Sequence, residues 1–263
     1  MKKGTITFSF DDGRKDTYHV MKDILKPLDL SGVVYIPSGY IECNYDNYLE
    51  VGYNGLMTKE ELDELSNDGL FEIGGHGFMH KNDFEDLRKG INKLRNWYPN
   101  KERFGLASPH SIINMTEVEE NANKYREMGF SYVRGGRNFE KKTLLKRLVS
   151  LLARVTKSPT IFKLCYMNSV NKRFSYYLHA IPIHKLTTLN QVKAIVDYCV
   201  EKRYWAILEF HGIDKENSEE YTEEFCWLED DFVELCSYVK QLVEMKRLQV
   251  KTPISMIEEN ENE

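Results

Sequence analysis

Apolar and polar residues follow two alternating patterns along almost the whole chain. In TITFSF, Ile6, Phe8 and Phe10 alternate with threonine and serine, which is typical of a β-strand with one buried face. Further strands are predicted in SGVVYIP, LFEIGGHGFMH, RFGLASP, FSYVRGG, YYLHAIPIH, YWAILEFHG and LQVKT. Helical patterns lie between them, at 17–28, 58–69, 83–97, 114–129, 189–202 and 230–245. This alternation predicts an α/β protein with a mostly parallel sheet, either a β/α barrel or an open doubly wound sheet.

One region interrupts the alternation and is predicted to be an insertion on the rim of a barrel. Residues 135–173 are basic and irregular, and within them 141–157 contain six basic residues and no acidic one. On a helical wheel one face of 141–157 is apolar: Leu144, Leu145, Leu148, Val149, Leu151, Leu152 and Val155. Such a stripe is typical of a helix packed on a core, and with a basic opposite face it is also typical of a helix at a membrane surface. We expect one domain over 1–263 that carries this insertion.

Composition and charge narrow the class of protein. The chain has 263 residues and a formal net charge of −5, which argues against a nucleic-acid-binding protein. Its five cysteines are odd in number and contain no C-x-x-C pair, so we expect reduced thiols. The opening MKKGTITFSF has no continuous apolar segment of the kind found in signal peptides, and no stretch of the chain is long and apolar enough to span a membrane. We therefore expect a cytoplasmic protein.

Three predicted strands end in residues that bind metals or transfer protons. Asp11 and Asp12 follow the first strand, His76 and His80 follow the strand FEIGG, and His211 follows AILEF. Each feature alone also has a structural interpretation, as a turn, a helix cap or a loop histidine. In a barrel, however, the carboxyl ends of the strands meet on one face. Two histidines and a carboxylate suit Zn²⁺ or a similar divalent ion, and the second aspartate is then free to act as a base.

These motifs resemble those of the polysaccharide deacetylases, the NodB-homology family of carbohydrate esterases. TFSFDDG resembles the family's first motif, HGFMH its second and ILEFH its last, and the likeness extends from Thr5 to about Ile257. The resemblance implies a distorted (β/α) barrel with fewer than eight complete units and hydrolysis of an N-acetyl group from an amino sugar. It also implies a residue set: Asp12, His76 and His80 as metal ligands, Asp11 as catalytic base and His211 as general acid.

The sequence departs from this family pattern at three places. Gly77 stands where the family has serine or threonine. In ASPH, Ala107 takes the place of the arginine that orients the catalytic aspartate, and His110 takes the place of a tyrosine. Arg134 and Arg137 are candidates to replace that arginine, since they follow the next strand. The acidic residue that partners the catalytic histidine has no counterpart in the sequence. We predict substrate-binding roles for His110, Arg134 and Arg137.

The favoured function is a metal-dependent carbohydrate N-deacetylase that acts on a glycan precursor or glycolipid. A sugar carried on a membrane lipid at the inner leaflet is consistent both with a cytoplasmic location and with membrane contact through 141–157. Two alternatives remain open: hydrolysis of another amide or cyclic imide on the same scaffold, and a non-catalytic carbohydrate-binding protein.

Overall fold

A computed structural model describes residues 3–47, 52, 54–135, 144–219 and 224–261, with backbone only for 144–147. The strands are β1 (Gly4–Phe10), β2 (Gly32–Ile36), β3 (Phe71–Gly75), β4 (Phe104–Ala107), β5 (Phe130–Gly135), β6 (Tyr177–His179), β7 (Ile181–Pro182), β8 (Trp205–Phe210), β9 (Gly212–Asp214), β10 (Cys226–Leu228) and β11 (Leu248–Val250). The helices are α1 (Lys15–His19), α2 (Ser38–Cys43), α3 (Lys59–Asn67), α4 (Phe84–Trp97), α5 (Met115–Met128), α6 (Leu144–Thr156), α7 (Pro159–Tyr166), α8 (Leu189–Lys202), α9 (Glu229–Glu244) and α10 (Pro253–Glu261).

Helix boundaries follow local chemistry. A capping box begins α3: the Thr58 hydroxyl accepts from the Glu61 N–H, and the Glu61 carboxylate accepts from the Thr58 N–H. The helix predicted at 17–28 is regular only in α1 and continues as a π-helical turn (Val20–Leu25) and a 3-10 turn (Lys26–Leu28). Pro27 lies in this last turn, and its lack of an N–H prevents a regular α-helical hydrogen bond there.

The strands form a nearly closed, parallel barrel. Along the sheet the order is β6, β5, β4, β3, β2, β1, β8 and β7. β6 pairs with β5 and β7 pairs with β8, yet only Ala180 separates β6 from β7 along the chain. One segment therefore joins the two ends of the sheet and completes the ring. The prediction of a distorted (β/α) barrel is confirmed, and the open-sheet alternative is wrong.

Side chains alternate between the barrel interior and the helix-covered outside. On β1, Ile6, Phe8 and Phe10 belong to the outer core between sheet and helices. The interior contains a second apolar cluster that includes Tyr35, Tyr132 and Trp205, packed against Met256 and Ile257 of α10. Trp205 begins β8, so α10 closes the mouth at the amino ends of the strands. The opposite mouth, at the carboxyl ends, remains available for chemistry.

In the predicted insertion the structure describes two helices: α6 packs on α7, and α7 packs on α8. The apolar stripe of α6 is not buried: Leu148, Leu151, Leu152 and Val155 are 52%, 56%, 41% and 72% exposed. Residues 136–143, which include Arg137 and the start of the predicted basic helix, lie outside the described residues. No helix in the described ranges combines the length and the apolar content that a membrane span needs.

Candidate active site

The carboxyl ends of β1, β3 and β8 bring the sequence-predicted residues to one mouth of the barrel. Asp11 and Asp12 follow β1, His76 follows β3, and His211 follows β8, which pairs in register with β1. Asp11 and His76 are each 1% exposed. Asp12 and His80 adopt positive φ angles of 70° and 55°, which turn the backbone back at the strand ends.

Asp12, His76 and His80 form a compact set of three donor atoms. The Oδ1 atom of Asp12 lies 3.4 Å from His76 Nε2 and 3.5 Å from His80 Nε2. The two Nε2 atoms are 3.1 Å apart. Donors bound at 2.0–2.1 Å to one tetrahedral Zn²⁺ are about 3.3 Å from each other, so the spacing suits a zinc-sized ion. The donor set therefore fits the metal that the sequence predicts.

Backbone contacts and local charge prepare these donors. His76 Nδ1 lies 3.0 Å from the carbonyl oxygen of Ala107, which leaves Nε2 directed at the donor set. Burial, with a smaller effect of His76, lowers the pKa of His80 to about 3, so His80 is neutral at pH 7. Burial alone would raise the pKa of Asp12, but its histidine neighbours outweigh burial and keep the pKa far below its usual value. Neutral imidazoles and an ionised carboxylate are the forms that bind metals.

The loop that presents His80 is shaped by Asp86 of α4. The Asp86 carboxylate accepts from the N–H groups of Phe78 (2.8 Å), Met79 (2.9 Å) and Lys81 (3.1 Å). Gly77 adopts φ 78°, and a Cβ atom there would lie 2.6 Å from Asp86 Oδ2. Glycine is thus required where the family pattern has a hydroxyl residue, and Asp86 supplies the hydrogen bonds that hold the loop.

Arg134 holds Asp11 in place. Its Nη2 atom donates to both carboxylate oxygens of Asp11, at 2.7 Å and 2.5 Å, and its Nη1 atom donates to Glu209. The guanidinium is fully buried and lies 5.0 Å from the ring centroid of Tyr35. Burial alone would lower the pKa of Arg134, but the two carboxylates raise it well above its usual value. Arg134 pairs with Ala107 between β4 and β5, and it makes the contact with Asp11 that the resemblance leads one to expect from an arginine at position 107.

Glu209 is the site residue that the sequence analysis missed. It lies on β8 two residues before His211, is 2% exposed, and belongs with Asp11 and His211 to a group whose ligand atoms lie within 4.8 Å of one another. His211 Nδ1 is buried and has no hydrogen-bond partner among the described residues. The only sequence signal for Glu209 is a charged residue within an apolar strand.

His110 lies beside the donor set and outside it. Its ring centroid is 4.1 Å from that of His80, and the side chain is exposed at the barrel mouth. Its φ of 53° is unusual for a residue other than glycine. His110 is thus placed where it can contact a molecule bound at the donor set. Arg137 lies outside the described residues.

The arrangement combines a metal-binding triad with a fixed carboxylate and an imidazole. Asp11 Oδ2 lies 3.9 Å from His76 Nε2, so the held carboxylate is adjacent to the donor set. Such a constellation can activate a water molecule and protonate a leaving group.

Comparison with known proteins agrees with these motifs. Residues 1–130 match the family model described as polysaccharide deacetylase. IcaB from Ammonifex degensii has 21% identity and a TM-score of 0.40, over 49% of this chain and 58% of that chain. A de-N-acetylase from Aggregatibacter actinomycetemcomitans has 16% identity and a TM-score of 0.49, over 71% and 73% of the two chains. No curated protein matches this chain.

A third structure is similar over almost the whole chain. The 4-alpha-glucanotransferase from Thermococcus litoralis has 11% identity and a TM-score of 0.53, over 98% of this chain and 40% of that chain. At this identity the likeness concerns the barrel fold alone. The family resemblance seen in the motifs is confirmed over residues 1–130.

Proposed function

We propose that this chain, whose residues 1–130 belong to the polysaccharide deacetylase family, is a metal-dependent enzyme that hydrolyses the N-acetyl group of an amino sugar. We propose that residues 1–263 form one catalytic unit. The observation that carries the proposal is the spacing of the Asp12, His76 and His80 donor atoms, at 3.1–3.5 Å, beside a carboxylate held by Arg134.

Asp12, His76 and His80 would hold the divalent ion, and zinc suits this donor set best. Once bound there, such an ion would supply Lewis-acid polarisation of an amide carbonyl and a lowered pKa for water. Burial alone would lower the pKa of His76, but the carboxylates of Asp11 and Asp12 outweigh burial and raise it. A proton therefore competes with the ion for His76. Metal affinity should consequently fall as the pH is lowered.

Asp11 would act as the base. Arg134 fixes both of its oxygens, and Oδ2 faces the donor set, so this oxygen can take the proton of the attacking water. The same contact places the positive charge of the guanidinium beside the carboxylate that would take this proton. His110 would contact the sugar from the exposed side of His80.

His211 would act as the acid. It follows β8 and reaches the same mouth from the side opposite β3, since β1 lies between β8 and the β2–β3 pair. The carbon–nitrogen bond breaks as the protonated imidazole gives its proton to the leaving nitrogen, and acetate and the free amino sugar are released. Glu209 belongs with His211 and Asp11 to the group whose ligand atoms lie within 4.8 Å of one another, so its carboxyl group is adjacent to the imidazole.

The alternative of another amide or a cyclic imide depended on the missing arginine. Arg134 contacts Asp11 from β5, so the absence of an arginine at position 107 no longer favours that alternative. A non-catalytic carbohydrate-binding role has no observation that favours it over catalysis.

We further propose a cytoplasmic enzyme whose substrate is attached to a membrane lipid. The exposed apolar residues of α6, together with the basic residues of 141–157, support contact with an anionic membrane surface.

The test of the proposed function is acetate release from a panel of lipid-linked and nucleotide-linked N-acetyl sugars. Wild type should release acetate, while Asp11→Asn should keep its metal and lose turnover because an amide cannot accept the proton. His76→Ala should lose both, with metal content measured by elemental analysis. Full metal occupancy in His76→Ala, or near-normal turnover in Asp11→Asn, would remove these residues from their roles.

A further inference from the structure

A cavity of about 180 Å³ lies between the insertion and the barrel. Its walls come from five elements: α6 contributes Ala153, α7 contributes Phe162 and Cys165, α8 contributes Gln191, and the segments after β7 and before β10 contribute Leu186 and Phe225. The lining also includes the polar residues Ser150, Arg154, His184, Thr187 and Glu224, of which Arg154 and Glu224 form an ion pair. These walls are tied together by hydrogen bonds, since the Lys185 N–H donates to the Glu224 carbonyl and the Trp227 indole donates to the Thr187 carbonyl. The cavity is therefore part of the folded structure.

Phe225 connects this cavity to the catalytic mouth. Its ring centroid lies 5.3 Å from that of His211 and 5.5 Å from that of His184, which also lines the cavity. The Phe225 side chain is 49% exposed. A molecule whose reacting group contacts His211 can thus extend past Phe225 into the cavity.

The surface around the cavity is the most apolar part of the described protein. Seven of its eleven large, exposed hydrophobic side chains lie on α6, on α7 or on the adjoining segments: Leu148, Leu151, Leu152, Val155, Leu164, Leu186 and Phe225. The 141–157 segment has six basic residues and no acidic one, in a chain of net charge −5. Exposed apolar side chains, on a segment whose sequence has an excess of basic residues, match a hydrocarbon chain at an anionic lipid surface.

We propose that this cavity binds the first carbons of an alkyl or prenyl chain attached to the amino-sugar substrate, an inference that rests on the proposed function. A cavity of about 150 Å³ is large enough for benzene, so 180 Å³ has room for about six carbons along the apolar wall of Ala153, Phe162, Leu186 and Phe225. The remainder of the chain continues over the exposed residues of α6 towards the bilayer. The substrate is thereby selected by its chain as well as by its sugar.

The first test needs no mutation, because Cys165 lies in the cavity wall as a half-buried thiol and Cys43 is exposed elsewhere. The rate of N-ethylmaleimide modification of each thiol is measured by mass spectrometry. The octyl and methyl β-glycosides of N-acetylglucosamine are the probes, both below the critical micelle concentration of the octyl compound. We expect the octyl glycoside alone to slow modification of Cys165, with Cys43 unaffected.

The second test fills the cavity with Ala153→Leu, and Ala122→Leu on α5 is the matched control. Each methylene kept out of the cavity costs about fourfold in affinity. The ratio of kcat/KM for octyl to methyl glycoside should fall about 15-fold or more in Ala153→Leu and stay at the wild-type value in Ala122→Leu.

The outcomes separate this inference from the proposed function. Protection of Cys165 by the octyl glycoside without acetate release from either compound supports the cavity and counts against the reaction on this sugar. Acetate release with equal kcat/KM for both glycosides, or equal protection by both, overturns the cavity assignment and leaves the reaction intact.

Discussion

At the scale of single residues, Arg134 is the residue that holds Asp11, the proposed catalytic base. It is fully buried and shares its charge between Asp11 and Glu209. Removing one partner of a buried ion pair leaves an uncompensated charge and typically costs about 3–5 kcal/mol. We expect Arg134→Met to lower the free energy of unfolding by this amount, measured by urea denaturation, and to abolish acetate release.

A double variant separates stability from catalysis at this site. Arg134→Met leaves two buried carboxylates, Asp11 and Glu209, without their guanidinium. The double variant Arg134→Met/Glu209→Leu removes one of them, so part of the lost stability should return. Turnover should not return, since Asp11 still lacks its guanidinium. Recovery of both together would mean that Arg134 contributes to folding alone.

The sequence predicted the residues at strand ends and missed those that support them. Asp11, Asp12, His76, His80 and His211 could be found because a strand that ends in an ionisable residue and a glycine is visible locally. Glu209 and Asp86 could not be found in this way. The partner of Glu209 is Arg134, far away in sequence, and Asp86 has the appearance of an ordinary acidic residue in the first turn of a helix.

At the scale of elements, the loop from β3 to α4 depends on Gly77. Its φ of 78° disfavours any side chain, and a Cβ atom would approach Asp86 Oδ2 to 2.6 Å. Gly77→Ala should therefore lower both the melting temperature and the metal content, although serine or threonine is usual at this place in the family. Gly69→Ala is the matched control, because Gly69 has φ 82° with no atom within 4 Å of the added Cβ.

The comparison of these two glycine variants isolates the contact with Asp86. Backbone strain of about 1–2 kcal/mol is common to both. Calorimetry should show the larger loss of stability for Gly77→Ala, and elemental analysis should show metal loss in that variant alone. Equal effects would mean that Asp86 does not limit position 77.

Helix α6 gives the second prediction at this scale. Wild type should co-sediment with vesicles that contain anionic lipid at low salt, because each basic side chain near the surface contributes about 1 kcal/mol. Binding should weaken as salt is raised. The variant Lys146→Glu/Arg147→Glu/Arg154→Glu should lose binding. The control Lys124→Glu/Lys246→Glu/Arg247→Glu changes the same net charge on other exposed surfaces and should keep it.

Most elements were predictable, and the exposure of α6 was not. Helix α8 spans Leu189–Lys202, as the apolar period indicated. The same kind of pattern on α6 was equally consistent with packing, because periodicity shows that a stripe exists and not what covers it. In the structure Ala153 of α6 is buried, whereas four of the seven residues of the apolar stripe are exposed: Leu148, Leu151, Leu152 and Val155.

At the scale of the whole molecule, the choice between barrel and open sheet required the structure. The strand pattern is the same for both folds, and the difference lies in the segment of β6 and β7, which pairs with β5 on one side and β8 on the other. These pairs join strands that are distant in sequence, for which the sequence contains no local signal.

The nearly closed barrel contains a buried carboxyl group at the mouth opposite the candidate active site. Glu72 is 6% exposed, accepts from the Tyr132 hydroxyl and accepts from the Ile254 N–H at 2.9 Å. Tyr132 in turn contacts the Tyr35 hydroxyl at 2.6 Å. Burial raises the pKa of Glu72 to about 7 from its usual value near 4.5. The folded protein therefore holds a proton on Glu72 in a pH range where the unfolded chain has released it.

This raised pKa makes stability fall as the pH rises. Between about pH 4.5 and 7 the folded state binds more protons at Glu72 than the unfolded state, so the stability that the proton provides is complete below pH 4.5 and lost above pH 7. A difference of about 2.5 pKa units corresponds to about 3 kcal/mol.

The variant Glu72→Gln tests this pH dependence. Its side chain cannot ionise, and its amide can donate to Tyr132 while its oxygen accepts from Ile254. We expect this variant to gain about 3 kcal/mol relative to wild type between pH 4.5 and 8, measured by urea denaturation at each pH. Glu102→Gln is the control and should parallel wild type, because Glu102 is an exposed carboxylate that lines the same surface cavity as Glu72. Parallel curves for Glu72→Gln and wild type would show that Glu72 is ionised in the folded barrel across this range.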